Sequence, residues 1–389
     1  MLTIKNIYKY YLATLILPLR LAAMQPEQKA CRHTILPEKI MTELTEAAVS
    51  NKLNLQNHHL CGCEFQPFDG QCRNIAARIS ALPELESVRL GSLLDMMPHE
   101  GLDRVVKALT YLPRLRSLDI NYTNMNDLDN EELESIMHLL RISSHVSSLT
   151  LAACRLHGLT KNELMALTDT LTKKQLTELN LSRNHLYQLG SVRLKQLANA
   201  LRLVRPLTHL DLSSNSLRLV RPFDWHLWKD AFRNLKKLSL RDNELGLPFS
   251  ETANSYEFWN ALAPVLIFSD IEHLDLSENQ LCTLNNPKLK RVWEIIANMI
   301  ALMTKLKSIN LCKNGFMLSA ELPFIQALAD GLMRNPNNPT VIADSFSLWK
   351  KVAQQKRVNV VFRTTPAQRH TVIAHPTDTL FESSGGGDD

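Results

Sequence analysis

Two hydrophobic rhythms alternate along the chain. The first is an eleven-position frame, Leu-x-x-Leu-x-Leu-x-x-Asn-x-Leu, whose apolar positions alternate as they do in a strand with one buried face. Its clearest copies run Leu176 to Leu186, Leu207 to Leu217, Leu235 to Leu245 and Ile271 to Leu281, followed by Leu306 to Phe316 with conservative exchanges. Earlier copies are worn but in phase: Leu85 to Asp95, Leu115 to Met125 and Val146 to Leu156, with Ser50 to Leu60 as a candidate first copy. The second rhythm is helical. Leu102, Val105, Val106 and Leu109 fall at i, i+3, i+4 and i+7, as do Leu133, Ile136, Met137 and Leu140, and Leu194, Leu197, Ala198 and Leu201. Val292, Ile295, Ile296, Met299 and Met303 follow the same period.

Each unit is therefore a short strand followed by a helix of about three turns. Neither element buries its apolar face alone, so the units must stack. The expected fold is α/β: a curved solenoid with parallel strands on the concave face and helices on the convex face. The ninth frame position holds His58, Leu93, Thr123, Cys154, Asn184, Asn215, Asn243, Asn279 and Asn314, spaced 28 to 36 residues apart. A polar side chain there satisfies backbone groups at a buried turn. Leu93 cannot, which predicts a looser coil at that point. The longer units place insertions at Gly246 to Ser255 and Cys282 to Pro287, on one edge of the stack.

This pattern resembles the ribonuclease-inhibitor-like class of leucine-rich repeat proteins over roughly residues 50 to 335. The resemblance implies the fold and leaves function open, because such proteins include inhibitors, GTPase activators, innate sensors and bacterial effectors. The expected organisation has an apolar segment at 1–24, an N-terminal cap at 25–49, eight or nine repeats over 50–335, a C-terminal cap at 336–363 and a disordered tail at 364–389. In the caps, Ile40, Leu44 and Ala47 share one face of a helix, Phe346 to Gln354 reads as a last helix and Val358 to Phe362 as a last strand.

Composition agrees with this picture. Of 389 residues, 68 are Leu, and many occupy frame positions or helix faces. A hydrophobic fraction of 45% and a charged fraction of 21% exclude collagen-like, low-complexity and polytopic membrane classes. The net charge of +5 is mild, and it demands neither nucleic acid nor a membrane. Seven cysteines, an odd count with four before position 73, favour a reducing final compartment over a disulfide framework. The N-terminal segment orders Lys5 and Lys9, an apolar run from Tyr10 to Leu19, and Ala22-Ala23, as a secretory signal does. Arg20 interrupts that order, and the run is too short to span a bilayer. A signal, an extra helix and an over-extended start before Met24 all fit; no stable membrane insertion is expected.

Outward-facing strand residues align in columns when units stack. One column reads Ser87, Ser117, Ser148, Glu178, His209, Lys237, His273 and Ser308; the next polar one reads Arg89, Asp119, Thr150, Asn180, Asp211, Ser239, Asp275 and Asn310. Eight acids (Glu86, Asp119, Glu178, Asp211, Asp242, Glu272, Asp275, Glu278) balance eight bases (Arg89, Arg116, Arg183, Lys236, Lys237, Arg241, Lys307, Lys313) over the outward positions, and Tyr122 is the aromatic among them. A nucleic-acid groove would favour one sign and several aromatics, so a protein partner is expected and nucleic acid is not. The candidate partner-binding residues are Tyr122, Asn180, Arg183, His209, Asp211, Lys236, Lys237, Arg241, Asp242, His273 and Asp275.

Other chemistry is thin. His58, His59, Cys61, Cys63 and Cys72 are the densest ligand cluster, but C-x-C with a lone Cys nine residues on departs from zinc spacings. Neither GxxxxGK[ST] and GxGxxG nor GxSxG and HExxH occurs. No catalytic residue, cofactor or metal site is therefore assigned, and a monomer is expected. The tail from residue 370 carries four acids and neither Lys nor Arg, after a basic stretch over 345–369. It is similar to the translocation signals of type IV secreted effectors of intracellular bacteria, and the degenerate repeats resemble those of Legionella effectors. That resemblance implies a non-enzymatic scaffold acting on a host protein in host cytosol. The alternatives are a GTPase activator using Arg183 or Arg241, and a protein of the bacterial cytoplasm or an envelope adaptor.

Overall fold

The computed structural model describes residues 38–55, 68–143, 145–246, 255–281, 289–315, 322–344, 347–356 and 358–363. Helices and strands alternate throughout. In chain order they are α1 (Glu38–Ser50), β1 (Lys52–Asn54), α2 (Phe68–Ser80), β2 (Ser87–Arg89), α3 (His99–Thr110), β3 (Ser117–Asp119), α4 (Asn130–Ile142) and β4 (Ser148–Thr150). Next come α5 (Lys161–Thr172), β5 (Glu178–Asn180), α6 (Gly190–Leu203), β6 (His209–Asp211), α7 (Lys229–Phe232), β7 (Lys237–Ser239), α8 (Ser255–Ile267) and β8 (His273–Asp275). The chain closes with α9 (Leu289–Leu302), β9 (Ser308–Asn310), α10 (Leu322–Arg334), β10 (Thr340–Asp344), α11 (Ser347–Lys356) and β11 (Val360–Arg363).

All eleven strands form one parallel sheet in sequence order. This is the leucine-rich repeat solenoid that the hydrophobic pattern predicts. Register follows the frame: Leu179 pairs with Leu210, Leu210 with Leu238 and Leu238 with Leu274, so the middle leucine of each strand stacks on its neighbours. These residues and the helix-face leucines are almost wholly buried in one continuous core. Helix starts are written locally. Asp129 caps α4 and Thr160 caps α5, each in a reciprocal capping box with Glu132 and Glu163.

The frame asparagines Asn184, Asn215, Asn243, Asn279 and Asn314 are fully buried and form a ladder. Asn215 Oδ1 accepts from the backbone N–H of Asn184 (2.9 Å) and of Leu186 (3.3 Å), while its Nδ2 donates to the carbonyls of Leu181 and Leu212 at 3.0 Å and of Ser213 at 3.2 Å. Asn184, Asn243, Asn279 and Asn314 each accept in the same way from the unit before them. On either side of each asparagine stands a residue with left-handed backbone, for example Arg183 (φ 59°) and His185 (φ 51°). This conformation costs roughly 1–2 kcal/mol for a residue with a Cβ, and the paired turn holds it in place.

Several features depart from the sequence expectation. Around Leu93 there is no loose coil: residues Gly91–Met96 form a 3-10 helix in which Leu93 is fully buried. Its own i to i+3 bonding, Leu93 N–H to the Leu90 carbonyl, replaces the missing amide. The Asn-Pro-rich stretch at 335–339 precedes not only a helix and one strand but also β10, which pairs in register with β9. The shortest unit, from Asn215 to Asn243, has only the four-residue α7. A 3-10 helix at Pro222–Trp228 fills the space with Trp225 and Trp228, packed against Phe258 and Phe232 at 5.4 and 5.5 Å between ring centres.

Helix ends are tied to the following unit. Lys174, almost fully buried, donates from Nζ to the Ser143 carbonyl at 2.5 Å, and burial lowers its pKa to about 8. Asn335 does the equivalent for α9, donating from Nδ2 to the carbonyls of Ile300 (2.5 Å) and Met303 (2.9 Å).

Candidate functional site

The face of the sheet opposite the helices carries a hollow of about 480 Å³ lined by strands β4 to β10. Seven consecutive strands contributing to one depression make this face concave. The two polar columns expected from the sequence line it in the expected register: Glu178, His209, Lys237 and His273 pair successively, as do Asn180, Asp211, Ser239 and Asp275.

The columns differ in what their side chains are free to do. In the second, the carboxylates and amides fold back on their own backbone. Asp119, Asn180, Asp211 and Asp275 each accept from the N–H two residues on, at 2.8 to 3.0 Å, which closes the turn at the strand end. Asp275 also accepts from Ser277 Oγ (2.6 Å) and Asn310 Nδ2 (3.1 Å). Burial raises the pKa of Asp119, with the Asn121 N–H and the Arg89 charge opposing it. Asn180, Asp211 and Asp275 thus have a structural task whether or not a partner binds.

The first column is less committed. His209 Nδ1 meets Thr208 Oγ1 at 2.9 Å and His273 Nδ1 meets Ser308 Oγ at 2.7 Å. Among the described residues, neither Nε2 nor the exposed Lys237 ammonium has a hydrogen bond or ion pair. Partial burial, then the Lys237 charge, pulls the His273 pKa down, and Glu272 offsets this only in part.

The remaining candidates lie at the margins. Lys236 stands one residue before β7, between Glu272 (3.6 Å) and Asp270 (4.0 Å). Arg241 donates to Glu278 at 2.9 Å, and Glu278 also holds Lys313. That engagement, with Asp275 and Asp242 nearby, raises the pKa of Arg241 against the effect of burial. Tyr122, Arg183 and Asp242 occupy left-handed positions beyond the strand ends, so they stand on the rim and not on the sheet face. They line a second hollow of about 640 Å³ together with Arg155 and His185. Sequence reasoning missed Arg155 and His185 because they follow the ninth frame position, outside the strand alternation; their equivalence to one another in successive frames was the available signal.

Cys72 is buried on α2 beside Gly101, where a Cβ would meet its sulfur at 2.7 Å. His58, His59, Cys61 and Cys63 lie outside the described residues, as do segment 1–24 and tail 364–389. Among the described residues no group of three or more His, Cys, Asp or Glu is placed to hold a metal ion, and no helix is long and apolar enough to cross a membrane.

No protein-family model and no curated protein matches the sequence. Among solved structures, the chain is similar to the leucine-rich repeat-containing protein LegL7 from Legionella pneumophila, with 21% identity and a TM-score of 0.57. The match covers 85% of this chain and 94% of that one. At this identity the likeness concerns the fold: the chain shares the leucine-rich repeat solenoid.

Proposed function

We propose that the protein is a recognition scaffold that binds another protein across its concave face, with His209, Lys237 and His273 at the centre of the contact. The observation that carries this reading is the contrast between the two columns in the hollow. One is consumed by its own turns; the other presents a lysine flanked by two imidazoles with unused hydrogen-bonding capacity. Such groups are well placed to meet acceptors on a protein surface, and central desolvated contacts dominate binding energy. Asn180, Asp211 and Asp275 hold the floor of the site, while Lys236 and Arg241 contribute to its charged margin.

We further infer that the partner is a host protein and that the chain acts as a bacterial effector in host cytosol. Support comes from the resemblance of repeats and acidic tail to type IV secreted effectors, and from a fold neighbour in Legionella pneumophila. Affinity capture from host lysate tests the reading. Lys237→Ala with His273→Ala is expected to weaken capture of a saturable partner by at least about tenfold, the loss of one to two central contacts. Capture unchanged by this pair would remove the concave-face assignment. A captured GTPase whose hydrolysis the protein accelerates would replace the scaffold reading with the regulatory-enzyme one.

A further inference from the structure

The two left-handed residues of each frame stack in files along the rim where the strands end. Tyr122, Ala153, Arg183, Ser214 and Asp242 make one file, and Arg155 and His185 belong to the other. In the middle of the first file, small Ala153 leaves a gap that Arg183 spans by donating from Nη1 to the Tyr122 hydroxyl at 3.0 Å. Around this gap lies the 640 Å³ hollow.

The charge of the hollow is one-sided. The Arg155 guanidinium has no hydrogen bond or ion pair among the described residues, and the one described contact of the Arg183 guanidinium is the neutral Tyr122 hydroxyl. Asp242, at the far margin, accepts from Ser214 Oγ at 2.8 Å. His157 and His185 meet edge to face, 5.1 Å between ring centres, at the other margin. Burial first, then the positive charges of His157 and Arg155, depresses the pKa of His185. Farther along the same side of the sheet the cations are matched: Arg218 pairs with Glu244, and Arg241 and Lys313, the latter at the frame position of Arg183, share Glu278. The shortage is therefore local to the units of Tyr122, Arg155 and Arg183.

Guanidinium groups facing a pocket with a phenol and an imidazole form a donor set for an oxyanion, since the planar fork matches carboxylate and phosphate geometry. We propose that the rim hollow is an anion subsite in which Arg155 and Arg183 take an acidic side chain, carboxylate or phosphorylated, of the protein bound on the adjacent sheet. The assignment rests on the concave-face reading for its occupant, but the subsite itself is testable without any partner. The hollow adjoins the recognition face, so a partner lying along β4 to β8 reaches it by extending one acidic residue over the strand ends.

The test uses the full chain at low ionic strength, with inorganic phosphate, acetate and chloride as separate probes. The His157 and His185 ring protons, assigned with His185→Gln, report occupancy by NMR. Phosphate is expected to shift them saturably and to raise the His185 midpoint by at least about 0.3 pH units, because a bound anion favours the imidazolium. Chloride at matched ionic strength should give no saturable shift, and acetate against phosphate distinguishes a carboxylate site from a phosphoryl site. Arg155→Gln with Arg183→Gln, both at exposed positions, should abolish the response, while Arg155→Lys with Arg183→Lys should retain a weakened one. Identical shifts with chloride, or in the Gln pair, would overturn the subsite. If phosphate binds as expected but Lys237→Ala with His273→Ala leaves partner capture intact, the concave-face reading fails and the subsite stands.

Discussion

From Asn184 to Asn314, each turn after a strand is closed by an amide that serves its own unit and the one before it. In the three units ahead of them the same turn is closed piecemeal. Leu93 relies on a 3-10 helix, Thr123 Oγ1 donates to the Gly91 carbonyl at 3.3 Å, and the Cys154 thiol donates to the Ile120 carbonyl at 3.3 Å. Both regions keep the same strand register and the same buried apolar positions, with Val88 and Ile120 standing for leucine in the worn frames. Hydrophobic stacking therefore suffices to specify the solenoid, and the amide ladder adds local cohesion between neighbouring turns. Worn frames remain legible as repeats because the leucines, not the asparagines, set the geometry.

The sharpest way to break this contrast is Asn215→Ala. It orphans two buried N–H groups and leaves the Leu181 and Leu212 carbonyls without their side-chain donor. At about 1–3 kcal/mol for each buried group left unsatisfied, the expected loss is roughly 3–5 kcal/mol in denaturant unfolding. A loss below about 1 kcal/mol would mean that the ladder adds little to the stacked leucines.

A second measurement compares the helix-end ties, charged in one region and neutral in the other. The buried Lys174 has a pKa of about 8 against an ordinary 10.5. Between these values the unfolded chain retains a proton that the folded chain has released, so stability should rise with pH across that window and level off above it. The slope is at most about 1.4 kcal/mol per pH unit. Lys174→Met should remove the rise and be neutral or stabilising at pH 7, as when a buried charge gives way to an apolar side chain of similar shape. The smallest effect is expected from Cys154→Ala. The thiol bonds are weak and the Asn184 side-chain oxygen still holds the Cys154 N–H, so less than about 1 kcal/mol should be lost.

The division between what the chain reveals and what it conceals follows the same physics. Period-two alternation fixes which residues align across strands, so the columns through Lys237 and Asp275 are readable in the amino-acid sequence itself. Whether a carboxylate in such a column faces a partner or its own backbone depends on one side-chain torsion. Asp211 and Asp275 therefore read as recognition residues although they close turns. The left-handed positions that put Tyr122, Arg183 and Asp242 on the rim break the alternation, which hides the file containing Arg155 and His185. The prolines ahead of strand β10 obscure it, and the tryptophans of the short unit carry no period because they substitute for a missing helix.

The ladder also has a direction. Every tooth is carried by one unit and engages the unit before it, so the two sides of any cut are chemically unequal. The N-terminal side is left with an unclosed turn, whereas the amide on the C-terminal side keeps its bonds to its own unit and loses only those to the unit before. At the far end of the array, Asp344 of β10 accepts from the backbone N–H of Lys313 at 2.5 Å, beside the last frame asparagine. In the earlier repeats the equivalent N–H, of Arg183, Ser214, Asp242 or Glu278, bonds a backbone carbonyl of the next unit, and here a side-chain carboxylate takes that place.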